Sequence, residues 1–140
     1  MPEKIVHLWI QGEPVGKARA RTVRTRGGGV HSYTPGRTVE WEDRVRLAYR
    51  QAYGGVVVFE RTDAVKATLS FRKLRPKSWP KSKRFWTQKP DGDNLGKAVL
   101  DSLNYHAYAD DSQVVKLDVE KLIVTDPAQV GALITLELVH

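Results

Sequence analysis

Apolar residues either alternate with polar ones or recur at helical spacing in six stretches of the chain. Ile5–Ile10 is short and apolar, with β-branched and aromatic residues, and predicts a strand. From Gly12 to Pro35 no period persists. Gly27-Gly28-Gly29 suits a loop tip, so this segment reads as a long loop or loose hairpin. Thr34-Pro35 is a helix start. Trp41, Val45, Ala48, Tyr49 and Ala52 then recur at helical spacing, and Gly54-Gly55 stops the run. Val65, Ala67, Leu69 and Phe71 alternate as in a half-buried strand. Lys73–Lys89 holds Pro76 and Pro80 and reads as a loop. Leu95, Val99 and Leu103 recur every fourth residue and predict a short helix from about Asn94 to Leu103. Val115, Leu117 and Val119 alternate, and Leu122–Val124 extends them into a long strand. After a turn at Asp126-Pro127, Leu133–Val139 is a last strand, expected to form an antiparallel hairpin with its neighbour. The order β, loop, α, β, loop, α, β, β predicts a small α/β (α+β) fold. It is expected to form a single domain over residues 1–140, with a mixed sheet and two main helices.

Composition narrows the function classes. The chain has 140 residues, 41% of them hydrophobic, enough for one globular domain with a real core. It has no cysteine, which excludes disulfide scaffolds, thiolate zinc sites and thiol nucleophiles. No apolar run approaches the ~20 residues of a membrane helix, and the N-terminus lacks a signal-peptide pattern. A soluble, cytoplasmic protein without membrane contact is expected. No Walker loop, dinucleotide fingerprint or internal repeat is present.

The net charge of +7 favours a polyanionic partner, and its distribution says more. Arg72, Lys73, Arg75, Lys77, Lys81, Lys83, Arg84 and Lys89 follow one another without an intervening acid. Seven acids then fall between Asp91 and Glu120, opposed only by Lys97 and Lys116. A second basic run, Lys17, Arg19, Arg21, Arg24 and Arg26, lies near the N-terminus. Basic flanks around an acidic stretch suggest phosphate contacts placed about a carboxylate site. The loop cations are interleaved with Trp79, Phe85 and Trp86, a composition suited to stacking on unpaired bases; equally, the aromatics could close the core as a lid.

The sharpest feature is Lys89-Pro90-Asp91-Gly92-Asp93-Asn94-Leu95-Gly96-Lys97. In an extended segment Asp91 and Asp93 would point to one side, where their repulsion would be relieved by a cation. Hard oxygen donors suit Mg²⁺, with Mn²⁺ as a substitute. Lys97, one helical turn after Asp93, could then hold a phosphate. The bland alternative is that Asp91, Asp93 or Asn94 caps the helix, and that Asp110-Asp111 is a solvated turn. The helix carries the chain roughly 15 Å, and residues 104–110 reach at most ~23 Å. A return of Asp110-Asp111 to the first pair is therefore open but not forced. The four histidines, His7, His31, His106 and His140, show no ligand spacing.

These motifs together resemble the RusA family of Holliday junction resolvases, especially its phage and prophage-type members. The resemblance runs through Gly12-Glu13-Pro14, Lys17-x-Arg19-x-Arg21 and Tyr33-Thr34-Pro35. It continues through Lys89-Pro90-Asp91-x-Asp93-Asn94-Leu95-x-Lys97-x-Val99-Leu100-Asp101-x-Leu103-Asn104 and Asp110-Asp111-Ser112-Gln113-Val114-Val115. It implies a homodimeric, Mg²⁺- or Mn²⁺-dependent endodeoxyribonuclease that resolves four-way DNA junctions by paired symmetric nicks. Carried over, Asp91, Asp93 and Asp111 are metal-binding catalytic carboxylates, Asp110 supports the metal site, and Lys97 is the catalytic lysine. Lys121 matches a lysine of the following strand. Expected DNA contacts are Lys17, Arg19, Arg21, Arg75, Lys77, Lys81, Lys83, Arg84, Trp86, Lys89 and Lys121. Rival readings are a metal-dependent nuclease without junction selectivity and a non-catalytic nucleic-acid-binding module.

Overall fold

The computed structural model describes residues 4–18, 21–33 and 36–140. Strand β1, Ile5–Gln11, buries Val6, Leu8 and Ile10 and turns His7 and Gln11 outward. The loose hairpin is a two-stranded ribbon, β2 (Arg21–Arg24) against β3 (Val30–Tyr33), apart from the main sheet. Gly28, at φ 83°, turns its tip. The helix start expected at Thr34-Pro35 lies outside the described residues. Helix α1, Gly36–Tyr53, buries Thr38, Trp41, Glu42, Val45 and Tyr49, one face at helical spacing. It stops where Gly54 takes φ 63° and donates its N–H to the Arg50 carbonyl.

Strand β4 spans Ala64–Leu74 and helix α2 spans Gly92–Ser102, two residues earlier than its periodicity suggests. A 3-10 turn at Asp111–Gln113 leads into β5, Val114–Val124. A second, Pro127–Gln129, leads into β6, Gly131–Val139. The main sheet has the order β1-β6-β4-β5, with β4 and β5 parallel and the other neighbours antiparallel. A mixed four-stranded sheet with two helices is an α+β fold, as expected. The C-terminal hairpin is not formed: β4 lies between β5 and β6.

Composition explains that departure. β6 is mostly apolar, and strands paired on both sides are covered on both edges. β5 carries Lys116, Asp118 and Glu120, exposed charges that suit an outer strand. The link at residues 125–130 crosses the end of β4, two strand spacings or about 10 Å, which six residues span easily.

The core lies on one sheet face. Leu8 pairs with Ile134, Ile134 with Leu69, and Leu69 with the half-buried Val119, forming one row across all four strands. Leu95, Ala98, Val99 and Leu103 of the α2 segment join Trp41, Val45 and Tyr49 of α1 in the same cluster. A one-sided sheet of this kind keeps its other face half exposed, as at Trp9 and Leu133.

Candidate active site

Helix α2 begins beside the basic loop, and a cis peptide bond joins Lys89 to Pro90. Asp91 is its N-cap, with extended backbone, but its side chain makes no capping bond. The carboxylate is exposed and lines a cleft of about 360 Å³ with Gly16, Lys17, Lys89 and Asn94. Asp93 lies inside the first helical turn. It lines a different groove, about 450 Å³, with Phe85, Trp86, Gly92, Val119 and Lys121. Asp91 stands at the extended N-cap and Asp93 in the first helical turn, so the pair is not carried on one extended segment. Lys97 is exposed on the next turn.

The second acidic pair does return to α2. Asp110 caps the 3-10 turn: its carboxylate accepts the Ser112 N–H at 3.1 Å, and the Gln113 side chain closes a capping box. That bond, with further backbone donors, holds the Asp110 carboxyl below the usual carboxylate range. Gln113 is locked in turn by donating to the Glu60 and Asp63 carbonyls. The Asp111 N–H donates to Asn104 Oδ1 at 2.8 Å. Its carboxyl meets that of Asp101, on the last turn of α2, and is pushed above its ordinary pKa. Burial is the main cause, followed by the hydrogen bond and repulsion from Asp101. Beneath them Tyr108 is buried and donates to the Leu100 carbonyl. Burial, reinforced by Asp111, Asp101 and Asp110, keeps its phenol protonated.

Lys17 is drawn into the same region. Its Nζ is 3.0 Å from Glu42 Oε2 and 3.4 Å from Asp101 Oδ2, and its N–H donates to the Asn94 carbonyl at 3.0 Å. Thr38 fastens the same strap by donating to Gly16 O and accepting from Ala18 N. Lys17, expected as a DNA contact, is thus held by two carboxylates of its own chain. Arg19 and the Arg21 side chain lie outside the described residues.

The basic loop sorts its residues by depth. Lys77, Lys81, Arg84 and Lys89 are exposed, whereas Arg75 donates to the Trp79 carbonyl and Lys83 lies over the Trp79 ring. Trp86 is buried at 3% exposure, its Nε1–H donating to the Gln88 carbonyl. Lys73 and Lys121 lie against its ring. The expectation that Trp86 presents itself to DNA is therefore corrected: it is a post under the cations. Lys121 also donates to the Gln88 carbonyl, and burial lowers its pKa.

The family model described as Endodeoxyribonuclease RusA matches residues 11–134. The chain belongs to the RusA family. It is therefore an endodeoxyribonuclease, a hydrolase of phosphodiester bonds in DNA. A similar protein is the uncharacterized protein YqaN of Bacillus subtilis (strain 168), 34% identical over 132 residues, covering 87% of this chain and 90% of the relative.

RusA resolvases are metal-dependent nucleases in general. The donor set here fits a hard divalent cation. Exposed Asp91 and Asp93 carry no capping duty, and Asp101 and Asp111 crowd each other in a way a cation would relieve. Among the described residues no three acid or histidine side chains already converge on one point. Sequence reasoning named Asp101 and Asn104 only within a motif, without a role, and missed Glu42. One signal was present: Asp93, Lys97 and Asp101 are spaced by four, a single helix face. Among the described residues no helix is long and apolar enough to cross a membrane.

Proposed function

We propose that this RusA-family enzyme resolves four-way DNA junctions in the cytoplasm by paired symmetric nicks, as a Mg²⁺-dependent homodimer of single-domain chains. The observation that carries the reading is the return of Asp111 to the end of α2, where its N–H donates to Asn104 Oδ1 at 2.8 Å and its carboxyl neighbours that of Asp101. This gathers the second acidic pair at the helix that bears Asp91, Asp93 and Lys97.

Asp91, Asp93 and Asp111 would hold the Mg²⁺, with Mn²⁺ able to substitute. When bound, such an ion supplies Lewis-acid polarisation of the phosphate and activation of water. The chain's own groups do the rest. Asp110 caps the turn that presents Asp111. Lys97 offers an ammonium to the charge developing on the phosphate oxygens. Tyr108, buried and fixed on the Leu100 carbonyl, packs the end of α2 that carries Asp101. Exposed Lys77, Lys81, Arg84 and Lys89 supply backbone-phosphate contacts that position the DNA without reading its sequence. Two-fold symmetry of a dimer would match that of an open junction, so equivalent sites cut both strands.

The test uses a labelled synthetic four-way junction and a matched linear duplex, with Mg²⁺ or EDTA, and Asp93→Asn alongside. Symmetric paired nicks confined to the junction, dependent on metal and absent from the variant, are expected. Equal cutting of both DNAs would reject junction selectivity. Tight binding with no cutting in Mg²⁺ or Mn²⁺ would reject the catalytic assignment of the aspartates.

A further inference from the structure

We propose that Phe85 stacks on an unpaired nucleobase of the DNA substrate, at the rim of the groove that contains Asp93. The inference rests on the DNA-cleaving reading above and names how the substrate is engaged.

Phe85 is 57% exposed, while its neighbour Trp86 is buried. Consecutive side chains of an extended segment point to opposite sides, so sealing Trp86 beneath the loop turns Phe85 outward. The backbone there is fixed. Arg84 O accepts the Ile123 N–H at 2.9 Å, Trp86 N–H donates to Lys121 O at 3.2 Å, and Phe85 forms an antiparallel bridge with Leu122. An exposed aromatic on a braced backbone loses little conformational entropy when it stacks.

Its surroundings point to one kind of occupant. On one side Phe85 borders the 450 Å³ groove, walled by Leu117 and Val119 and edged by Asp93, Glu120 and Lys121. On the other it borders a 240 Å³ pocket lined by Arg75, Lys81, Lys83 and Arg84, with no acid in its wall. A flat apolar ring between an apolar slot and a cationic pocket matches one nucleotide: base in the slot, phosphate among the cations. An apolar protein partner would leave Lys81 and Arg84, the exposed cations of that pocket, unsatisfied. A base held at this rim lies beside the groove that holds Asp93, so the same contact brings the strand to the acids.

The experiment uses the full chain in EDTA, where nothing is cut. The probe is a duplex with one unpaired 2-aminopurine, with the fully paired duplex as control. Parent protein is expected to quench the 2-aminopurine. Phe85→Ala should lose the quench and bind the unpaired probe about tenfold more weakly, with unchanged affinity for the paired control. Phe85→Tyr should restore both, and Phe85→Leu should not restore the quench. An Ala variant that still quenches, or that weakens both DNAs equally, would overturn the proposal. So would a change in sedimentation of Phe85→Ala without DNA, which would place a second copy of the chain on the ring. Failure of junction cutting by the parent, with the quench intact, would sink the resolvase reading and leave the stacking contact standing.

Discussion

Removing the Lys17 ammonium isolates a buried carboxylate, and the cost can be worked from the structure. Glu42 is 6% exposed, and Lys17 approaches it at 3.0 Å. Breaking a fully buried pair costs about 3–5 kcal/mol, because the remaining charge lacks a partner. The Lys17 side chain keeps 25% of its exposure, so water screens part of the interaction. The expected loss for Lys17→Met, which keeps the aliphatic stem, is about 2 kcal/mol. For a domain of this size that lowers the melting temperature by roughly 6 °C. Urea denaturation of Lys17→Met, Glu42→Gln and the double variant closes a cycle. The double variant should be about 1 kcal/mol more stable than the sum of the single losses predicts, because removing both charges leaves nothing stranded. A loss below about 0.5 kcal/mol for Lys17→Met, with additivity within about 0.3 kcal/mol, would refute the clamp.

Other expectations are narrower. A Cβ on Gly96 would meet Val119 at 3.6 Å and Leu69 at 3.7 Å, ordinary contacts, so Gly96→Ala should stabilise by about 0.5–1 kcal/mol in thermal melts. Gly131→Ala should instead destabilise by more than about 1 kcal/mol, since its Cβ would collide with the Ile10 carbonyl inside the β1–β6 ladder. Lys4 binds Asp63 at 2.6 Å, and that bond is the first cause both of the lowered Asp63 pKa and of the raised Lys4 pKa. A depressed carboxylate stabilises above its unfolded pKa and loses that contribution as pH falls through the folded value. A raised amine contributes below its unfolded pKa and loses its part as pH rises past its folded one. Asp63→Asn should therefore melt lower than the parent at neutral pH, and the two curves should converge well below the usual carboxylate range. Asp110→Asn keeps an acceptor for the Ser112 N–H and should cut DNA at near-parental rate, while Asp110→Ala should be slower. Asp110→Asn as slow as Asp110→Ala in a nicking assay would show that Asp110 acts by its charge.

Periodicity carried most of the elements. The α1 stripe through Trp41, Val45 and Tyr49 and the alternation in β4 were legible because each records a local burial pattern. Pairing was not, because alternation says which face of a strand is buried and not which neighbour it takes. The Asp126-Pro127 turn is equally compatible with a hairpin and with a step across β4, and only the contrast between charged β5 and apolar β6 hinted at the outcome. At the site, the acids and their basic surroundings were visible as charge runs. Their grouping was not, since it depends on where α2 begins. Starting at Gly92 rather than Asn94 places Asp93 inside the helix and Asp91 at its cap. The encounter of Asp101 with Asp111 depends on side chains of Asn104 and Gln113, which meet their partners only in the folded chain. Trp86 and Phe85 look alike in composition, and only depth distinguishes the post from the exposed ring.

The position of β6 between β1 and β4 bears on how fast the molecule assembles. Ile5 pairs with Glu137, and β1 reaches the rest of the sheet through β6 alone. The β4–α2–β5 unit can collapse on itself, but β1 finds its neighbour in the sheet only once the chain beyond Gly131 is available. Closing a loop of that length imposes a large entropic delay before its contacts form. The first strand is then expected to join the sheet late, although the strap after it docks through Lys17 on Glu42 of α1 and Asp101 of α2 without β6. The sheet thus waits on its longest-range pairing, while the strap that walls the cleft can form from contacts with the two helices.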